Sequence, residues 1–269
     1  ARTGCYDVFA RRWQGSHLEA AGAPALPPVV RAGTVVGTVA SGTLLESGAV
    51  SSATLVVAGG HDHPLAASVV RRIDPTAIVD SLGTANLVYG ETAVVAPRSD
   101  PYIAFSVPAL GGPGVACLGV YEFAASLAPS RSNDAGNSLR AFLAAEEASG
   151  GPGDAQPILR ALRQSLGIAA QHDNGEQAID DPRTLLEAGC FYARRMLAAV
   201  RAAGTGSGRI YSVGGWARSK ALLQLRASVL GVPLVTLDEE ELTALGAALV
   251  ARDAAGTEQP APLRREAHI

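Results

Sequence analysis

The sequence predicts an α/β domain with a mixed sheet flanked by helices. Short, apolar, β-rich runs alternate with segments whose apolar residues recur at helical spacing. Glycine pairs, Gly59-Gly60 and Gly214-Gly215, stand where such a run gives way to a helix, and Gly83-Thr84 separates two runs at the spacing of a tight hairpin.

Residues 1–50 are rich in Gly, Pro and short polar stretches, with Val35–Val39 as the one good strand candidate, so they read as an irregular lead-in. Thr54–Ala58 is the first sharp strand. Gly59-Gly60 stops it and a helix over Pro64–Ile73 follows, so Gly59-Gly60-His61-Asp62-His63 is expected at the carboxyl end of a buried strand. Ala77–Leu82 and Ala85–Tyr89 flank the hairpin, and a further strand pair is expected within Tyr102–Pro108 and Val115–Tyr121. Between 126 and 180 only two helices, Ser138–Ala148 and Pro157–Leu166, interrupt polar sequence to which no function can be attached. Asp181-Pro182 supplies an N-cap and an N1 proline for a long helix with Leu186, Cys190, Ala193, Leu197 and Val200 on one face, ended by Gly204. Ile210–Val213 is the next strand. The helix from about Arg218 to Leu230 turns Leu222, Leu225 and Val229 inward, Val232–Thr236 forms another strand, and Glu239–Ala251 a last helix whose Gly246 permits close packing.

With 269 residues, 48% of them hydrophobic, the chain can bury a large core. Its 22 basic and 25 acidic residues are dispersed and sum to −3, which leaves no basic stripe for nucleic acid. Cys5, Cys117 and Cys190 form no C-x-x-C pair, so neither a disulfide framework nor a zinc site is expected and a reducing cytoplasm suits them. No apolar run approaches the roughly 20 residues of a membrane span, and the first residues are no signal peptide. The chain opens without Met in turn-like sequence, as a piece of something longer would.

Three constellations carry chemistry. Asp62 could take a proton from a hydroxyl that attacks phosphorus, or it could merely cap the helix that follows. His61 and His63 flank it, and a metal site on these three side chains is a further alternative for which no additional ligand is visible. At Ser81-Leu82-Gly83-Thr84-Ala85 a glycine lets a phosphate approach the backbone and a threonine adds a donor, although such a turn is often only a turn. Gly214-Gly215 offers backbone N–H groups at a strand-to-helix turn, where an anion or nucleotide is favoured. No P-loop or strand-following G-x-G-x-x-G is present.

The order of these segments, Val57–His63, Asp80–Ala85, Gly214–Ser219 and Ala244–Ala248, closely resembles the second domain of FGGY carbohydrate kinases, and Ala1–Asp7 resembles the segment closing their first domain. The resemblance covers about 1–125 and 182–252. It implies a ribonuclease-H-like (actin-like ATPase) domain, with 1–50 the end of a first lobe, 51–255 the carboxy-terminal nucleotide-binding domain and 256–269 a tail. It further implies Asp62 as catalytic base, Gly83, Thr84, Gly214 and Gly215 as nucleotide contacts, His63 at the sugar, ATP and Mg²⁺ as cofactors, and no structural metal. The expected activity is ATP-dependent phosphorylation of a sugar or polyol hydroxyl in the cytoplasm, with a homodimer left open and neither nucleic acid nor membrane as partner. Trp216 stands where the family often has a third glycine, and the family's loop before the long helix is not recognisable in 126–181. The first lobe is missing, so the chain alone is not expected to be a competent kinase. A non-catalytic actin-like lobe and a small metal-dependent hydrolase are the rival readings.

Overall fold

The computed structural model describes residues 4–23, 26–83, 86–93, 103–121, 182–206, 208–239, 241–256 and 266–268. The helices expected over 138–148 and 157–166, the cap at Asp181, and Thr84 lie outside them.

The lead-in holds more structure than its composition suggests: β1 (Tyr6–Asp7) pairs with β2 (Arg12–Trp13), followed by α1 (Gly15–Ala20). β3 (Val35–Thr38), the short α2 (Thr43–Glu46) and β4 (Leu55–Val57) come next. α3 (Asp62–Ile73) leads to β5 (Ile78–Leu82), β6 (Asn86–Thr92), β7 (Ala104–Ser106) and β8 (Val115–Tyr121). The long helix α4 (Pro182–Val200) runs into a wide turn, Arg201–Thr205, where Gly204 adopts φ 105°, a left-handed conformation that suits a residue without Cβ. β9 (Ile210–Val213), a 3₁₀ turn over Gly215–Arg218, α5 (Lys220–Leu230), β10 (Leu234–Leu237), α6 (Leu242–Ala254) and β11 (Glu266–His268) complete the order.

Seven strands form one mixed sheet in the order β11-β10-β9-β5-β6-β8-β7. β10, β9 and β5 run parallel and the remaining pairs antiparallel. Because successive strand residues face opposite ways, the sheet divides its side chains between two cores. Val79, Leu87, Tyr89, Ala116, Tyr211 and Val235 meet α3 and α6 on one face. Ile78, Val88, Cys117, Ile210 and Leu234 meet Ala193, Met196 and Val200 of α4 and Leu223 of α5 on the other. The face expected for the long helix is the one observed, since Leu186, Cys190, Ala193, Leu197 and Val200 are all buried. Leu222, Leu225 and Val229 likewise turn inward. Gly246 lies so near Leu65 that a Cβ on it would stand 2.2 Å from the Leu65 carbonyl oxygen, so the α3–α6 contact depends on the missing side chain.

One expectation is corrected. β4 is not a buried strand of the main sheet but half of a separate two-stranded ribbon with β3, where Val35, Val36, Leu55 and Val56 are exposed. The reason is steric: β5 already has β6 on one side and β9 on the other, so no place beside it is left for the strand that leads into α3.

Candidate active site

The carboxyl ends of β5 and β9 lie side by side, because Ser81 pairs with Val213 in the parallel register. The two glycine turns therefore leave the sheet along the same edge, the edge on which open α/β sheets place their ligands. Gly214 has φ 97°, and a Cβ on it would come to 2.7 Å from the Leu82 carbonyl oxygen. Only glycine fits there. Gly83 follows Leu82 at the hairpin, while Gly215 has open space where its side chain would be. The strand-to-helix turn expected at Gly214-Gly215 is interrupted by the 3₁₀ turn, and α5 starts only after Ser219, whose Oγ accepts from the Leu222 N–H at 3.2 Å. The helix N-terminus thus stands one short turn beyond the glycines, displaced because Ser219 is the better N-cap.

The segment bearing Asp62 reaches the same edge from the other face. The His63 ring Nδ1 and the Ser81 Oγ are hydrogen-bonded at 3.1 Å, which ties the start of α3 to the strand that ends in the hairpin. Asp62 is the first residue of α3 and His61 occupies the cap position, so the simple reading of Asp62 as N-cap does not hold. Its Oδ1 accepts from the His63 backbone N–H at 2.9 Å and meets the His61 Nδ1. A carboxylate in the first helical turn is also favoured by the helix dipole. The side chain is 58% exposed, and the His61 and His63 rings stack on each other at 5.8 Å between centroids. Among the described residues no group of three His, Cys, Asp or Glu side chains is arranged to hold a metal ion.

Beneath the two turns lies a feature that the motifs did not point to. Asp80 and Arg226 are each about 1% exposed and form a bidentate pair, Nε to Oδ2 at 2.6 Å and a terminal guanidinium nitrogen to Oδ1 at 2.5 Å. Ser212 on β9 donates to the same Oδ2 at 3.2 Å. Burial disfavours the guanidinium charge, but the Asp80 carboxylate and its hydrogen bonds outweigh that and raise the Arg226 pKa above its ordinary value. Burial pushes the neighbouring Cys190 thiol up to about 11. A signal was available in the sequence, since Arg226 falls on the inward face of a helix otherwise lined by Leu222, Leu225 and Val229.

Among the described residues no helix is long and apolar enough to cross a membrane. Residues 149–255 match the C-terminal domain of the FGGY family of carbohydrate kinases. Xylulose kinase of Staphylococcus epidermidis is 30% identical over an alignment 246 positions long that covers 84% of this chain and 47% of that protein. The chain spans about half the length of the curated relatives it matches. Among solved structures, a xyloylose kinase from Brucella ovis superposes with a TM-score of 0.71 at 23% identity, over 98% of this chain and 58% of that one. Plasmodium falciparum glycerol kinase with ADP gives 0.65 at 12% identity, over 96% and 54%. The fold is therefore that of the actin-like ATPases, as the resemblance implied. The resemblance carried by the four motifs is thus supported by the match of residues 149–255 to the C-terminal domain of the FGGY family of carbohydrate kinases.

Proposed function

We propose that the chain is the nucleotide-binding lobe of an ATP-dependent sugar or polyol kinase, residues 51–255 forming that lobe, 1–50 the end of a first lobe and 256–269 a tail. The observation that carries this reading is the His63–Ser81 hydrogen bond, which joins the segment bearing Asp62 to the strand that ends at Gly83. Gly83, Thr84, Gly214 and Gly215 contact the nucleotide, and His63 contacts the sugar. Asp62 accepts the proton of the substrate hydroxyl while its oxygen bonds to the γ-phosphorus and the bond from that phosphorus to the bridging oxygen breaks, releasing ADP. Mg²⁺ would be held by the nucleotide phosphates and waters, which leaves the Asp62 carboxylate to take the proton. When bound it neutralises charge on the phosphates. The same reading places the enzyme in the cytoplasm and allows a homodimer.

The test is ADP release by the full-length protein with a panel of ketoses and polyols. Asp62→Asn is expected to keep its melting temperature and nucleotide affinity while turnover falls by about 10²-fold or more, the worth of a positioned general base. Undiminished turnover in that variant refutes the mechanism. Equal loss in His61→Ala and His63→Ala, with activity removed by stripping transition metals, establishes the metal reading instead.

A further inference from the structure

The exposed β3–β4 ribbon, the stacked histidines and the buried thiols each lead back either to the site already described or to a surface whose occupant the structure does not specify. The buried charge pair leads further. Its members lie on the two elements that carry the glycine turns: Asp80 is on β5, just before Leu82 and Gly83, and Arg226 is on α5, which begins just beyond Gly214 and Gly215. Ser212, which shares the Asp80 oxygen, lies on β9 immediately before the second turn.

We propose that the Asp80–Arg226 pair, with Ser212, is a positioning device that holds the Gly83 hairpin and the Gly214–Gly215 turn in a single relative geometry. Arg226 is not a catalytic residue, since it is sealed beneath the turns. It packs with Leu82 and Asn86, which flank the hairpin tip, and with Trp216, which follows Gly215, around a space too small to hold a water molecule. The pair is thus in reach of both turns from below.

Apolar packing alone does not fix this geometry. α5 rests on the sheet through Leu223 and Leu230, and such contacts are non-directional, so a helix can shift along them at small cost. A guanidinium fork on a carboxylate is directional, because both oxygens and two nitrogens must match. Burying an ion pair is an inefficient way to gain stability, since apolar replacements of similar volume are often as stable, and its better-attested use is to set a register. Two turns meeting one nucleotide need that register. This last step rests on the nucleotide reading above, whereas the positional claim does not.

The experiment uses the 269-residue chain in three forms: unaltered, Asp80→Leu with Arg226→Met, and Arg226→Lys. The double variant replaces the pair by apolar side chains, and the lysine variant keeps the charge but loses the fork. Thermal unfolding, amide hydrogen exchange resolved by segment, and Mg-ATP titration are measured on each. The expected result is cooperative unfolding in both variants, with exchange over 78–88 and 211–219 faster by about tenfold or more and exchange over 62–73 and 242–254 unchanged. Mg-ATP affinity is expected to weaken by about tenfold, or about 1.4 kcal/mol. Unaltered exchange at both turns in a folded variant overturns the inference, as does uniform acceleration across the whole sheet, which marks a stability role only. If the double variant fails to fold, the lysine variant decides by the same criteria. Failure of the unaltered chain to bind Mg-ATP refutes the nucleotide reading and leaves the exchange result to judge the pair.

Discussion

Asp80 and Ser81 are neighbours on β5 and face opposite sides of the sheet, Asp80 toward Arg226 of α5 and Ser81 toward His63 of α3. One strand thereby ties the edge of the site to helices on both layers. The two bonds differ in weight. Ser81→Ala loses one neutral hydrogen bond near the edge and is expected to cost about 1 kcal/mol. Asp80→Ala leaves a guanidinium buried without its partner and is expected to cost about 3–5 kcal/mol. Denaturant unfolding of the two single variants checks the contrast, and equal losses contradict it.

The two glycines of the second turn are expected to fail in different ways. Gly214→Val forces a side chain into left-handed backbone against the Leu82 carbonyl, so it should lower the melting temperature. Gly215→Val projects into open space and should leave stability within about 0.5 kcal/mol while weakening nucleotide binding. Calorimetry with Mg-ATP beside a thermal melt separates the two. The unaltered chain is expected to bind more weakly than about 1 μM, short of about 8 kcal/mol, because it supplies one wall of a cleft. Tighter binding means the lobe encloses nucleotide unaided.

Gly246→Ala tests the contact that seats α3. Alanine gains about 1 kcal/mol of helix propensity over glycine. Here its methyl would meet the Leu65 backbone at 2.2 Å, and the resulting overpacking costs about 1–3 kcal/mol or more. A lower melting temperature is expected. A rise would mean that α6 moves away without penalty.

Asp74 supplies a pH signature. Burial raises the pKa of its carboxyl, but hydrogen bonds from the Thr76 hydroxyl and N–H and from Arg209 outweigh that and hold it below the usual value. A depressed folded pKa means stability that is present above the unfolded value near 3.8 and lost as pH falls through the lower folded value. Asp74→Asn should therefore destabilise the chain by about 1 kcal/mol at pH 6, a deficit that shrinks as pH falls through the folded pKa below 3.8. A deficit that persists at low pH contradicts the assignment.

Most of the sheet was legible because its signals are local. Hairpin spacing at Gly83-Thr84 gave the β5–β6 pairing, and the apolar stripe of Leu186 through Val200 gave the face of α4. The error at β4 had a physical source: an apolar run of that length is the same whether it pairs in a central sheet or in an exposed ribbon, and only the occupied flanks of β5 decide. Asp80 stood in plain view within a motif, yet its partner lies far along the chain, and no local rule joins them. The bond from His63 to Ser81 was hidden for the same reason, as both residues belonged to motifs read separately.

The sequence distance across that buried pair has a consequence for how the chain folds. Arg226 and Asp80 are 146 positions apart, and Ser212 and Asp80 are 132 apart. The hairpin of β5 and β6 can form from neighbouring sequence, but β9 and α5 must return over a long loop before the parallel strands close, and such closures are slow. During synthesis from the amino terminus, β5 waits with one edge unpaired until the last quarter of the chain has emerged. The ligand edge is then completed only once Arg226 has emerged, with β10 and β11 still to follow, and chains halted before Arg226 carry both motifs of the first half without the site they serve.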